Sequence, residues 1–372
     1  MRKGIKVKKG LVYTFLFCCF LLTAGAKNNQ SERWSEEKAK DWYAKQVWPV
    51  GMNYVVSNAV NQFEMWQTES FDTITINHEL KMAEELGFNT VRVFLHDMLW
   101  EADPKGFKMR LDKFMDIADR HGMKLIITFF TNGGKYDSPK LGKQPDPIPG
   151  VHGGGRWIQA PGAAKVNNPE TWGVLKKYVQ DILKTYKNDD RVLMWCLYNE
   201  PENFNQGAQT LPLLRQVFKW AREVNPSQPL SAPMWIRPGY KGATSALDVI
   251  SFLGENCDIM TFHCYYGPEE METFIKMLKR FNRPMICTEY MGRPRSTFEE
   301  ILPILKREKI GAINWGLVNG KMSFHLPWAN MTDFDSRIWF HDIYHSDGTP
   351  YCEKEIEFIR ELTKDKSLAG EK

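Results

Sequence analysis

Two glutamates stand at the ends of apolar runs, where a buried strand would need apolar residues. Glu200 closes Trp195-Cys196-Leu197-Tyr198-Asn199-Glu200-Pro201, and Glu289 closes Ile286-Cys287-Thr288-Glu289-Tyr290. A carboxylate taken into a strand terminus is unfavourable unless it is paired or put to use. One such residue serves equally well to hold an arginine or cap the next helix; two at the same end of a sheet call for chemistry. Cleavage of a glycosidic bond needs such a pair, one carboxyl to protonate the leaving oxygen and one to supply negative charge or a nucleophile beneath the anomeric carbon. A separation of about 5 to 5.5 Å gives retention of configuration, whereas about 6.5 to 9.5 Å admits a water and gives inversion. Arg92, in Asn89-Thr90-Val91-Arg92-Val93-Phe94, and the phenol of Tyr265, in His263-Cys264-Tyr265-Tyr266, are suited to hold one carboxylate ionised. Such donors depress that group's pKa, while the second carboxyl, beside a like charge, is pushed up and stays protonated.

Those residues sit on a regular rhythm of short apolar or β-branched runs, polar loops and helical periodicity. The runs are 48–54, 90–94, 125–131, 192–199, 229–232, 259–263, 285–289 and 311–315. Helical patterns between them end in glycine, as at Gly87 and Gly122, where a left-handed cap is needed. Eight strands buried on both faces and alternating with helices predict parallel pairing in a single (β/α)8 TIM barrel. The fourth and seventh runs then face each other across the barrel, with both glutamates at the C-terminal end. A long Gly- and Pro-rich loop, Asn132 to Asn168, follows the third run and is read as a wall or lid over the cleft.

The first 26 residues have the pattern of a secretion signal: a basic start, an apolar run from Leu11 to Leu22, and Ala24-Gly25-Ala26 for cleavage. Residues 27–46 read as a helical lead-in and 47–372 as the barrel with a closing helix. The leader holds five basic residues and no acidic ones, so its removal takes the formal charge from +4 to −1. A nucleic-acid partner and a polybasic membrane anchor are thereby disfavoured. No apolar stretch after residue 26 approaches the roughly 20 residues of a spanning helix, so the mature chain is expected to be soluble, in the periplasm or outside the cell. Its five cysteines, an odd number without metal-ribbon spacing, read as buried thiols. The 13 tryptophans exceed ordinary usage, and surplus Trp either fills a core or makes flat faces for sugar rings.

Taken in order, Arg92, Asn199-Glu200-Pro201, His263, Tyr265, Glu289 and Trp315 resemble the retaining β-glycoside hydrolases of the cellulase-like superfamily, clan A, closest to glycoside hydrolase family 5. The resemblance runs from about residue 48 to residue 345. It implies Glu200 as acid/base, Glu289 as nucleophile and Asn199 as partner of the sugar 2-hydroxyl. It also implies that Arg92 and Tyr265 orient Glu289, that His263 lines the cleft, and that Trp315 lies under the sugar at the cleaved bond. One departure is Phe129-Phe130-Thr131-Asn132, where many members carry a histidine; His96 is the expected partial substitute. Trp66 and Trp235, on loops after strands, are further expected sugar contacts, with Trp100, Trp157 and Trp328 behind them. No metal constellation or phosphate-cradling loop is legible, so neither a metal nor another cofactor is expected.

The function expected from these residues is double-displacement cleavage of β-linkages in a polysaccharide or oligosaccharide. Two alternatives remain: transfer of the glycosyl unit to a sugar acceptor on the same scaffold, and a barrel that binds sugar without cleaving it. The sequence leaves the sugar, the linkage and the oligomeric state open.

Overall fold

The computed structural model describes residues 32–134, 139–235 and 244–368; the leader assigned to residues 1–26 lies outside them. Nine parallel strands, each followed by helix or loop, curl into the (β/α)8 barrel. They are β1 (Val50–Asn53), β2 (Thr90–Phe94), β3 (Lys124–Thr128), β4 (Val192–Cys196), β5 (Leu230–Ser231), β6 (Met234–Trp235), β7 (Met260–His263), β8 (Met285–Tyr290) and β9 (Gly311–Trp315). Nearly every strand residue is buried, as expected of strands covered on both faces.

Nine strands replace the expected eight because the fifth is broken. β5 pairs with β4 and β6 pairs with β7, so the two are halves of one barrel position separated by Ala232 and Pro233. Proline has no N–H to give a ladder and is not tolerated inside a central strand. The expected run 229–232 thus covers only the first half. The Trp235 N–H, which opens the second half's contact with the site, donates to the buried carboxylate of Glu202.

Two apolar layers hold the barrel. The outer one fills the space between strands and helices. In the inner one Ile126, Met194, Cys196, Ile259, Ile286 and Ile313 meet Trp34, Ala39 and Tyr43, so the helix Glu36–Ala44 packs against the barrel interior. Asp258 fixes this segment by accepting the Trp34 N–H at 2.8 Å while holding Arg222 through both oxygens. Gly87 and Gly122 follow the helices Thr73–Glu85 and Pro104–Arg120 with φ of 77° and 67°, as their sequence positions predict. Cys196, Cys257, Cys264 and Cys287 are free and buried, and Cys352 is free and half-buried. Among the described residues no helix is long and apolar enough to cross a membrane.

Candidate active site

The C-terminal strand ends converge on a cavity of about 680 Å³, lined by Asn199, Glu200, Tyr265, Glu289, Trp235 and Trp315 among others. This is the end at which barrel enzymes build their sites. Two local irregularities aim the glutamates. Glu200 has a φ of 47°, a left-handed conformation that non-glycine residues adopt only when the surroundings hold them there. On β8 the register with β7 skips Thr288, pairing Phe262 with Cys287 and His263 with Glu289. Such bulges re-aim side chains beside active sites.

Glu289 is held on both oxygens. Arg92 Nη1 lies 2.9 Å from Oε1, and the Tyr265 hydroxyl donates to Oε2 at 2.7 Å. Arg92 is fully buried and is itself fixed: Nη1 donates to Asn53 Oδ1 at 2.8 Å and Nη2 to Asn199 Oδ1 at 2.6 Å. Asn53 in turn donates to the carbonyls of Thr288 and Asn314, tying β1 to β8 and β9. Glu200 receives a hydrogen bond from Asn203 Nδ2 at 2.6 Å on Oε2, and its Oε1 lies 2.7 Å from His263 Nδ1. The same nitrogen is 3.4 Å from Glu289 Oε2, so His263 joins the two carboxyls beneath the cavity floor.

Atoms of Glu200, His263 and Glu289 lie within 4.8 Å of one another. An oxygen of Glu200 and an oxygen of Glu289 thus lie within 4.8 Å of each other, on the short side of the range that separates retention from inversion. The same spacing makes this trio the one set among the described residues spaced to share a metal ion, a grouping hidden in sequence by the 63-residue offset between Glu200 and His263. Arg92 already supplies positive charge there.

Electrostatics depart from the sequence expectation at one point. Glu289 is raised above the ordinary carboxylate pKa because burial penalises its charge and Glu200 adds a like charge; Arg92 and the Tyr265 hydroxyl pull it back without cancelling them. Burial also takes His263 down to about 3, so the ring is neutral near pH 7. Glu202 is pushed up to about 8, first by burial and further by the nearby Glu200.

The other expected contacts divide sharply. Trp315 and Trp235 line the cavity, as do Trp157 and Trp328. The Trp315 ring stands edge-on to Phe94, Trp157 and Phe324, a cluster that fixes its tilt. Trp66 does not belong to the site. It is fully buried on the short helix Gln62–Trp66, stacks on Phe71 and donates its indole N–H to the Phe94 carbonyl at 2.9 Å. His96 is also excluded: it is fully buried, caps the helix Asp97–Ala102 by accepting the Met98 N–H, and contacts the Gln159 carbonyl with Nε2. Both follow strand β2 or β1 in sequence, but the chain turns them under the surface. Trp100 is likewise buried, bonded to Asp181. Thr131 stands at the end of the third barrel position, where it accepts from Asn199 Nδ2 at 3.2 Å.

The 132–168 loop forms a wall. It pairs with the barrel through the Thr131–Ala160 bridge and brings Gly133, Gly134, His152 and Trp157 to the cavity. His152 Nδ1 and the Leu326 carbonyl, 2.7 Å apart, join this wall to the loop after β9. Sequence reasoning missed Asn53, Asn203 and His341, which lines the cavity beside Tyr265. Asn203 was within reach, three residues after Glu200; His341 lies in a segment without periodicity and carries no local signal.

A β/α barrel presenting two buried, hydrogen-bonded carboxyls at this spacing defines a retaining glycoside hydrolase class. Residues 49–321 match the family model for cellulase (glycosyl hydrolase family 5), and the chain belongs to that family, whose members are retaining β-glycosidases. Among curated proteins it is 26% identical over 213 residues to a β-glucuronidase of Paenibacillus borealis, covering 53% of this chain and 30% of the relative. Among solved structures it superposes on the exo-β-1,4-mannosidase Op5Man5 from Opitutaceae bacterium strain TAV5 with a TM-score of 0.56 and 19% identity, covering 86% of this chain and 60% of that one. The GH5_18 protein from Streptomyces cattleya in complex with GlcNAc gives 0.61 and 12%, over 88% and 82% of the two chains. At such identities the structural likeness concerns the fold.

Proposed function

We propose that this protein is a secreted retaining β-glycosidase in which Glu289 is the nucleophile and Glu200 the acid/base, acting on short β-linked oligosaccharides, with β-mannosides the foremost candidates. The observation that carries the assignment is the asymmetry of the two carboxyls. Glu289 is bound by a guanidinium and a phenol, which favour an ionised, directed oxygen. Glu200 faces the cavity between an amide and a neutral imidazole, neither of which demands that it be charged.

In the first step Glu200 gives its proton to the glycosidic oxygen as a Glu289 oxygen bonds to the anomeric carbon, and the sugar–oxygen bond breaks. In the second, Glu200 takes a proton from water, which displaces Glu289 and restores the starting configuration. Asn199, fixed by Arg92 and Thr131, presents its amide to the sugar 2-hydroxyl, and Trp315 supplies the apolar floor. The leader pattern of residues 1–26 supports secretion; a mature N-terminus at Lys27 is the expected result, and an unprocessed chain in the cytoplasm would refute it. The mannoside reading draws on the likeness to the exo-β-1,4-mannosidase and on a cavity walled by the 132–168 loop.

A glucuronide is the second reading. Arg295 lines the cavity, 6.0 Å from the Tyr266 ring, with no carboxylate partner among the described residues, and would meet a sugar carboxylate. The test is a panel of aryl β-mannoside, β-glucoside, β-xyloside and β-glucuronide, with product sizing on the matching oligosaccharides. A β-mannoside with the highest kcat/KM supports the first reading; a β-glucuronide supports the second; turnover of none contradicts the β-glycosidase assignment.

A further inference from the structure

One aromatic ring is left in solvent at the cavity. Phe204 is 60% exposed and is the sole aromatic among the large hydrophobic side chains exposed in the described residues, yet it lines the cavity. Its position is imposed by the backbone. Phe204 has a φ of 55° and Asn205 of 59°, left-handed conformations that aromatic residues avoid unless their surroundings fix them. The ring is seated on a glycine: a Cβ at Gly133 would come within 2.2 Å of Phe204 Cε2, so only the bare backbone of the 132–168 wall lets it lie there.

The ring is also tied to the candidate acid/base. Asn203 donates through Nδ2 to Glu200 Oε2 at 2.6 Å and accepts the Phe204 N–H on Oδ1 at 2.7 Å. One amide thus fixes the carboxyl and the ring on the same turn. A group that protonates the leaving oxygen lies on the leaving-group side of the scissile bond, whereas Glu289 lies beneath the anomeric carbon. A flat apolar face carried on Glu200's own turn therefore meets whatever is attached beyond that oxygen. Sugar rings present such a face of C–H groups to aromatic rings.

We propose that Phe204 is the stacking platform for the leaving-group sugar, a specificity-determining residue that also receives the acceptor when a sugar rather than water attacks the glycosyl-enzyme. The inference rests on the assignment of Glu200 as acid/base. It makes the enzyme selective for oligosaccharides over glycosides with small leaving groups, and it ties the balance between hydrolysis and transfer to one side chain.

The test compares a β-1,4-linked disaccharide with the β-glycosyl fluoride of the same sugar, chosen as the fastest glycone of the panel above. Fluoride carries no ring beyond the bond and so does not use the platform. Phe204→Ala should lower the ratio of disaccharide to fluoride kcat/KM about tenfold, the scale of one lost aromatic contact, and Phe204→Trp should restore it. At high disaccharide concentration the Ala variant should also form less transfer product. An unchanged ratio, or an equal fall on both substrates, would overturn the platform, the second outcome marking Phe204 as a prop for Glu200. Wild-type enzyme that cleaves neither substrate would overturn the glycosidase reading itself.

Discussion

Replacing Tyr265 by Phe removes one oxygen from the centre of the site and leaves its framework. The ring keeps its edge contacts with Trp235 at 5.7 Å and Trp328 at 5.0 Å, so the fold should hold. The lost bond is the 2.7 Å donation to Glu289 Oε2, made to a charged, buried acceptor. Hydrogen bonds to charged groups contribute about 1.5–3 kcal/mol. Losing that preference for the charged form should raise the Glu289 pKa. The sign follows from the site: burial already holds Glu289 above the ordinary carboxylate value, Tyr265 opposes that, and its removal lets the group climb further. Because the nucleophile must be ionised, the acidic limb of kcat/KM moves upward by the same amount, and kcat at the optimum falls about tenfold or more. The assay is a pH series on an aryl glycoside with a good leaving group, so that Glu200 protonation does not limit the first step. An unmoved acidic limb with near-wild-type kcat would remove Tyr265 from the machinery and with it the electrostatic account of Glu289.

Three other outcomes are expected. Glu289→Gln, nearly isosteric, should abolish turnover while calorimetry still detects sugar binding; lost binding would mark a structural defect. Glu200→Ala should still cleave glycosides with activated leaving groups, and azide should replace the missing base and yield the β-glycosyl azide; equal loss in both variants without azide product would mean misassigned roles. Trp66→Ala should lower stability by about 3–5 kcal/mol, the range for a buried Trp, with KM of the folded enzyme unchanged; a raised KM at unchanged stability would return Trp66 to the cleft.

The residues that sequence reasoning located share one property: they lie on barrel strands or within a few residues of their C-terminal ends. Arg92, Asn199, Glu200, His263, Glu289 and Trp315 are placed by the barrel's own geometry, and alternation of runs and helices is enough to bring them to one end. Residues on loops lacked that constraint. Trp66 and His96 follow strands, whereas Trp235 ends β6; short helices fold the first two inward, where Trp66 joins Phe71 and Phe114 in the core and His96 caps a helix. The broken fifth position escaped notice although Pro233 marked it, because the half Met234–Trp235 is only two residues long. The raised Glu289 pKa escaped for another reason: donors are visible in a motif, whereas desolvation is a property of everything packed around it.

The central claim, a covalent step on Glu289 assisted by Glu200, is tested most directly by trapping. A 2-deoxy-2-fluoro β-glycoside with an activated leaving group, of the sugar preferred in the panel, should inactivate the enzyme with time and add one fluoroglycosyl unit to its intact mass. Peptide mapping should then find that unit on Glu289. A label on any other residue, or no label together with a product of inverted anomeric configuration by NMR, would contradict the account.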